Sequence, residues 1–409
     1  MQKWKKKIRK KTRMTEINNK TKRVSAVDRC RGLALFLMLF CGAAKMTSCA
    51  PYLVPLSTHI AADAYCVLPH YCFYDFIAAM FVFTVGLGFG MSYSSAEAKH
   101  GTRRACKSIA KRALKIVGIG SMLTFSADGP AGIIFISFGA AAIIALIARF
   151  FVVKKHPDAK MIFAKIFDVG LTVLGIAFIA NAVTENALYL SGFAVSDGNW
   201  GVLPSIGVAM LICLPLVKLK PQYAIPAVVA YSVLYALSQY FLGETAFAFF
   251  THGGLLGAFG WALLLMLAKV TFDIFNMSKP LAFLFFAAVT LSALVAFSLC
   301  LPSKFAVNET YILVSYALCF IVFIIFSLFE KIKFSVDPLI DAGRNSLFIY
   351  VLHPFTTFVV GICVNAMDEY LKLPAVPSTL MAAGGLIGYF LIMCLFMRAL
   401  NARGVRLKV

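Results

Sequence analysis

Apolar residues come in runs of about 20, separated by short polar connections, from near residue 32 almost to the C-terminus. A helix of that length crosses a hydrocarbon core of roughly 30 Å. The polar breaks between runs predict twelve spanning helices, near 32–50, 73–94, 112–126, 131–152, 162–182, 200–217, 223–242, 252–270, 280–301, 310–329, 345–365 and 379–397. The runs are continuous rather than alternating, so an outer-membrane barrel is not expected. The fold class is therefore read as all-α, a polytopic membrane helical bundle over residues 32–397. A basic segment, 1–31, precedes it and a short tail, 398–409, follows it. No polar stretch is long enough to bury a core of its own, and no internal repeat stands out.

Composition sharpens this picture. Of the 409 residues, 61% are hydrophobic and only 14% charged, where a soluble domain carries about a quarter charged. The net charge of +21 would suit a nucleic-acid binder if it were patched on one surface. It is distributed instead by side. In the twelve-span reading all but three of the 39 Lys and Arg fall on one face of the membrane, the exceptions being Lys45, Lys304 and Lys372. That is the positive-inside pattern, which places both termini in the cytoplasm. The bases then serve topology and contact with anionic lipid, and no nucleic-acid partner is expected. Short loops and the lack of an outer domain favour a bacterial inner membrane. The eleven Cys lie mostly inside apolar runs and read as small hydrophobes. Cys49, Cys66 and Cys72 fall in an outer loop, where one disulfide is compatible. No CxxC or HExxH pattern suggests a metal. The triplet Asn308–Glu309–Thr310 fits the N-glycosylation pattern, of use only in a secretory-pathway host.

Polar side chains at membrane depth are costly, and they mark pathways or structural pairs. Five places carry them. In "RVSAVDRCRGLALFLM", Asp28 and Arg31 stand three apart at the first span; they form an interfacial cap, or Arg31 holds a phosphate. In residues 59–90, His59, His70 and Asp75 gather around the start of the second span. They are an interfacial belt, or a general base with an orienting carboxylate. In "DAGRNSLFIYVLHPF", Arg344, Asn345 and Ser346 begin the eleventh span, and His353 lies about two turns deeper, before Pro354. The proline frees a carbonyl, so His353 has a structural partner on offer as well as a functional role. The loop cluster Arg103, Arg104, Lys107, Lys111 and Arg112 is a solvated stop-transfer face or an electropositive dock for a nucleotide phosphate. In "FFTHGGLLGAFGW", His252 and its glycines line an outer cavity or permit close helix packing.

Three of these blocks together carry a resemblance. "RVSAVDRCRGLALFLM", "YDFIAAMFVFTVGLGFGMS" and "GRNSLFIYVLHPF" resemble, in this order, segments of the heparan-α-glucosaminide N-acetyltransferase family of transmembrane acyltransferases. The chain departs from the family pattern at Gly42, where the family carries Asn, at Ala78 or Ala79 in place of a Pro, and in "GIIFISFG", which lacks a Gln-Arg pair. Two spans, the pair 162–217, exceed the family's ten-helix core.

The resemblance implies an enzyme that takes acetyl from acetyl-CoA on the cytoplasmic side and passes it through the bilayer to an amino sugar or other glycan on the far side. Arg31, oriented by Asp28, with Arg103, Arg104, Arg112, Arg344, Asn345 and Ser346, would then hold the acyl-CoA. His59 or His70 would be the base, Asp75 its orienter and His353 a polar group in the path. The implied partners are the bilayer, acyl-CoA and a saccharide, with a homodimer compatible and no metal expected. Two alternatives remain at this stage. One is a multi-span O-acetyltransferase of envelope polysaccharide; the other is a transporter or flippase without acyl transfer.

Overall fold

The computed structural model describes residues 24–47, 71, 75–124, 157–191, 200–243, 246–247, 251–331, 337–372 and 374–403. Among the described residues there are twelve α-helices and no strand. They are α1 (Ser25–Met46), α2 (Asp75–His100), α3 (Thr102–Thr124), α4 (Pro157–Leu190), α5 (Val202–Cys213), α6 (Pro221–Leu242), α7 (Gly254–Met277), α8 (Lys279–Leu299), α9 (Glu309–Leu328), α10 (Pro338–Arg344), α11 (Ser346–Leu371) and α12 (Ala375–Ala402). Eight of these, α2, α4, α6, α7, α8, α9, α11 and α12, are long and apolar enough to cross a membrane. The protein is thus an all-α polytopic bundle. Every expected span coincides with a helix except 131–152, which lies outside the described residues, as do His59, His70, Cys49, Cys66 and Cys72.

Local chemistry sets the helix ends. Asn308 caps α9, its side-chain oxygen accepting from Tyr311 N at 3.0 Å. Asp337 caps α10 through Ile340 N at 3.0 Å, and Ser278 caps α8. These caps satisfy N–H groups that a helix leaves unpaired. The cap also decides the glycosylation triplet. Asn308 is buried, and its amide nitrogen donates to Leu301 O at 2.7 Å, so no glycan can attach without dismantling this turn.

Packing sorts the helices into a centre and a lipid-facing shell. Helix α7 is buried on nearly all sides and packs on α2, α5, α6, α8 and α9. Its one buried base, Lys269, is held by Asp273 Oδ2 at 2.9 Å and by Leu219 O at 2.8 Å, which offsets the cost of a charge in the bundle. By contrast α8 shows Leu284, Leu291, Leu294 and Val295 outward, as a lipid-facing helix should. The basic cluster expected in a loop lies in helix α3, and some of the bases on and near it are paired. Asp168 of α4 receives Lys111 and Lys115 at 2.8 and 2.9 Å. Glu97 receives Lys218 at 2.7 Å, a hydrogen bond that raises the Lys218 amine above its ordinary value.

Helix α10 is a short element that hydropathy does not predict, and α1 starts at Ser25, earlier than the expected 32. Both differences have one cause, because the two elements pack on each other. A methyl group added to Gly343 would meet Asp28 O at 2.0 Å, and one added to Gly32 would meet Leu339 O at 2.0 Å. Only glycine lets these backbones touch.

Candidate active site

The first turns of α1 and the α10–α11 junction form one structure, although about 300 residues separate them in sequence. Arg29, buried, pairs with Asp337 Oδ2 through Nε at 2.7 Å and donates to Phe329 O at 3.0 Å. These bonds lock the base of α1 to the start of α10. Asp28 is almost wholly buried, 3% exposed, and stands 3.7 Å from Arg31 Nη1. Arg31 Nη2 donates to Thr84 O of α2 at 3.4 Å. Asp28 thus sits in the first turn of α1, facing the arginine.

A cavity of about 260 Å³ opens beside this junction. Its polar wall is Arg31 of α1, Arg112 of α3, and Arg344, Asn345 and Ser346 at the α10–α11 corner. Its apolar wall includes Phe81 and Val85 of α2, Ile116 of α3, Ile206 of α5 and Phe348 and Tyr350 of α11. Three arginines from three separate segments therefore line one space together with apolar residues. Arg103 and Arg104 are exposed and do not line it. Asn345 is held by a polar chain: its amide donates to Asn401 Oδ1 at 2.9 Å, and Asn401 donates to Asp341 Oδ1 at 2.9 Å. Asn345 Oδ1 is buried without a hydrogen bond, an unused acceptor at the cavity wall that normally requires a reason.

His353 lies one turn beyond Tyr350. Its Nδ1 is 2.6 Å from Tyr350 O, and the two rings meet edge to face at 5.3 Å. The cause is Pro354 within α11. A residue at 354 would normally donate to the carbonyl of 350, and proline cannot. The freed carbonyl accepts from Nδ1–H, which fixes the tautomer and leaves Nε2 as the acceptor in the neutral ring. Across from it is Gly42, where an added methyl group would stand 3.2 Å from Thr357 Cγ2 and 3.8 Å from His353 Cδ2. A larger residue at 42 would press on both.

Asp75 belongs to a second polar group, grouped with Tyr71, Lys304 and Tyr311 and set apart from the cavity. Its carboxylate is fully buried and meets Lys304 Nζ at 3.3 Å, the lysine being 4% exposed. Tyr311 donates its hydroxyl to Asp75 O at 2.8 Å, packs its ring at a tilt against Tyr71 with centroids 5.5 Å apart, and meets Trp261 edge to face. Tyr71 bonds Ser315 Oγ at 2.8 Å. His252 is joined to this group through Trp261, whose Nε1 donates to His252 O at 3.1 Å.

Of the twelve residues to which the resemblance gives a role, Arg31, Arg112, Arg344, Asn345 and Ser346 share the cavity. Asp28 supports it, His353 lies behind its Tyr350 wall, and Asp75 is elsewhere. Lys304, Arg29, Asp337, Tyr350 and Asn401 were not singled out. For Lys304 a signal existed, since it is one of the few bases on the sparse side of the charge pattern. The partners of Arg29 and Asn345 lie hundreds or tens of residues away, and nothing local marks them.

Residues 23–253 match the family described as heparan-alpha-glucosaminide N-acetyltransferase, catalytic. The match runs from α1 to the start of α7 and ends before the Arg344–His353 corner. No curated protein matches the chain.

Proposed function

Since the chain belongs to the heparan-α-glucosaminide N-acetyltransferase catalytic family, we propose that it is a membrane acetyltransferase that draws acetyl from acetyl-CoA at the arginine-lined cavity. It delivers the acetyl to an amino sugar or related glycan at the Asp75–Lys304 end. The observation that carries this reading is the convergence of Arg31, Arg112 and Arg344 on one space with an apolar wall. A phosphate-rich ligand with a long thioester arm has that same division of charge. Guanidinium groups bind phosphates by charge-assisted, often paired hydrogen bonds. The cavity is smaller than the roughly 300–1,000 Å³ of sites that enclose a whole ligand. It therefore takes the arm, and the nucleotide lies at the mouth.

The chemistry is acyl transfer. The acceptor nitrogen attacks the thioester carbonyl, the new C–N bond forms as the C–S bond breaks, and the nitrogen's proton goes to a base while the CoA thiolate is released. A base near neutral pKa and donors to the developing oxyanion are what such a site must provide. His59 or His70 is our choice for the base, with Asp75 held in place by Lys304. His353, with Nε2 available as acceptor, stands on the path from Tyr350. The extracytoplasmic position of the acceptor, the cytoplasmic termini and a bacterial inner membrane belong to the same proposal, on the strength of the charge pattern.

The test is thermal stability of the purified full chain in detergent with and without acetyl-CoA. Ligand at a hundredfold excess over its dissociation constant stabilises the folded state by about 2.7 kcal/mol. Arg31→Ala should insert normally and require at least tenfold more acetyl-CoA for the same shift, about 1.4 kcal/mol. Unchanged affinity in Arg31→Ala and Arg344→Ala would remove the cavity from the donor site. Full transfer rates in both His59→Ala and His70→Ala would remove the base assignment.

A further inference from the structure

A second cavity, of about 410 Å³, opens between α6, α8 and α9, on the other side of the Cys300–Asn308 loop from the Asp75 group. This loop turns Lys304 inward to Asp75 and presents Asn308 and Glu309 to the cavity. The site is independent of the transfer reaction proposed above.

Its floor is polar and almost entirely committed. Asn308 caps α9 and bonds Leu301 O. Gln239 accepts from Glu309 N at 3.2 Å and donates to Tyr235 and to Ala306 O. What remains is the Glu309 carboxylate. It accepts from Ser232 Oγ, and among the described residues no Lys, Arg or His is ion-paired with it. Lys304, a base on the same loop, is already engaged with Asp75. Glu309 is the first residue of α9, where the helix dipole favours a negative charge. A carboxylate so placed, half-buried beside a cavity, offers an ion-pair partner to a cationic group that enters it.

The walls say what else the ligand must be. Ala236 and Ala296 lie about one turn into the helices from Tyr240 and Cys300. Their small side chains leave a slot between α6 and α8. Tyr240 and Leu299, each 82% exposed, flank its opening, and an exposed Tyr at a helix end marks the headgroup level. A cationic head at Glu309 with an apolar chain in the slot satisfies both walls and floor.

We propose that this cleft binds a phospholipid with a primary-amine headgroup, its ammonium on Glu309 and an acyl chain between α6 and α8. The experiment is native mass spectrometry of the full chain with phosphatidylethanolamine, phosphatidylcholine and phosphatidylglycerol of equal chain length. The amine lipid should be retained about fivefold more tightly than the other two, the size of one partly exposed ion pair. Glu309→Gln should make the three equal, and Ala296→Phe, which fills the slot and leaves the carboxylate, should reduce retention of the bound lipid. Equal retention of all three by the unaltered protein, or selectivity that survives Glu309→Gln, would overturn the proposal. So would displacement of the amine lipid by free glucosamine at comparable concentration, because the cleft would then read an ammonium without a chain.

Discussion

Lys304 and Asp75 meet at 3.3 Å with almost no access to solvent, so neither can lose the other cheaply. Removing one member of a buried pair leaves an uncompensated charge and costs about 3–5 kcal/mol. Lys304→Met should therefore lower stability by about that amount, and Asp75→Leu with Lys304→Met should recover much of it. Thermal unfolding in detergent reads both, and a neutral single variant would show that the pair contributes little. Residue identity was legible where local chemistry is enough. Asp75, Arg31 and His353 stood out because polar groups are rare in apolar runs, and Pro354 announced a free carbonyl that Tyr350 indeed offers to His353. Pairings over distance were not legible. Asp75 reads in sequence as the neighbour of His59 and His70, whereas its described ion-pair partner comes from a loop more than 200 residues away.

Among the elements, the contact between α1 and α10 is what creates the cavity wall. Gly32 and Gly343 bring the two backbones together, and the Arg29–Asp337 pair holds them in register. Gly343→Val would place side-chain atoms where Asp28 O now lies and force the two elements apart. The expected result is a protein that still inserts, with the acetyl-CoA-dependent thermal shift reduced at least tenfold in apparent affinity, about 1.4 kcal/mol. Retention of the full shift would mean that the α1–α10 contact does not shape the site. Hydropathy found the long helices because a span must be apolar for its whole length. It placed the start of α1 too late, since "SAVDRCR", residues 25–31, is charged and becomes helical where it packs against α10. It passed over α10 itself, whose seven residues are too few for a periodic signal and depend on packing.

At the scale of the whole molecule, the charge pattern makes one more prediction. With the exposed cysteines first replaced, Lys372→Cys should be labelled by a membrane-impermeant maleimide in intact cells, and Arg104→Cys only after the membrane is opened. The reverse pattern would invert the bundle and exchange the donor and acceptor ends. The sequence by itself determined that this chain is a helical membrane bundle, where its long helices lie, how its Lys and Arg fall between the apolar runs, and which family it belongs to. Each of those rests on local composition: apolar length against bilayer thickness, the count of Lys and Arg between spans, and short motifs. Only the tertiary structure decided that Arg31, Arg112 and Arg344 share one cavity while Arg103 and Arg104 do not, that Asp75 belongs to Lys304, and that Glu309 faces a cleft with no cation beside it among the described residues. Those outcomes depend on which helix faces meet, and that is settled by close packing at small residues far apart in the chain, which no stretch of sequence displays alone.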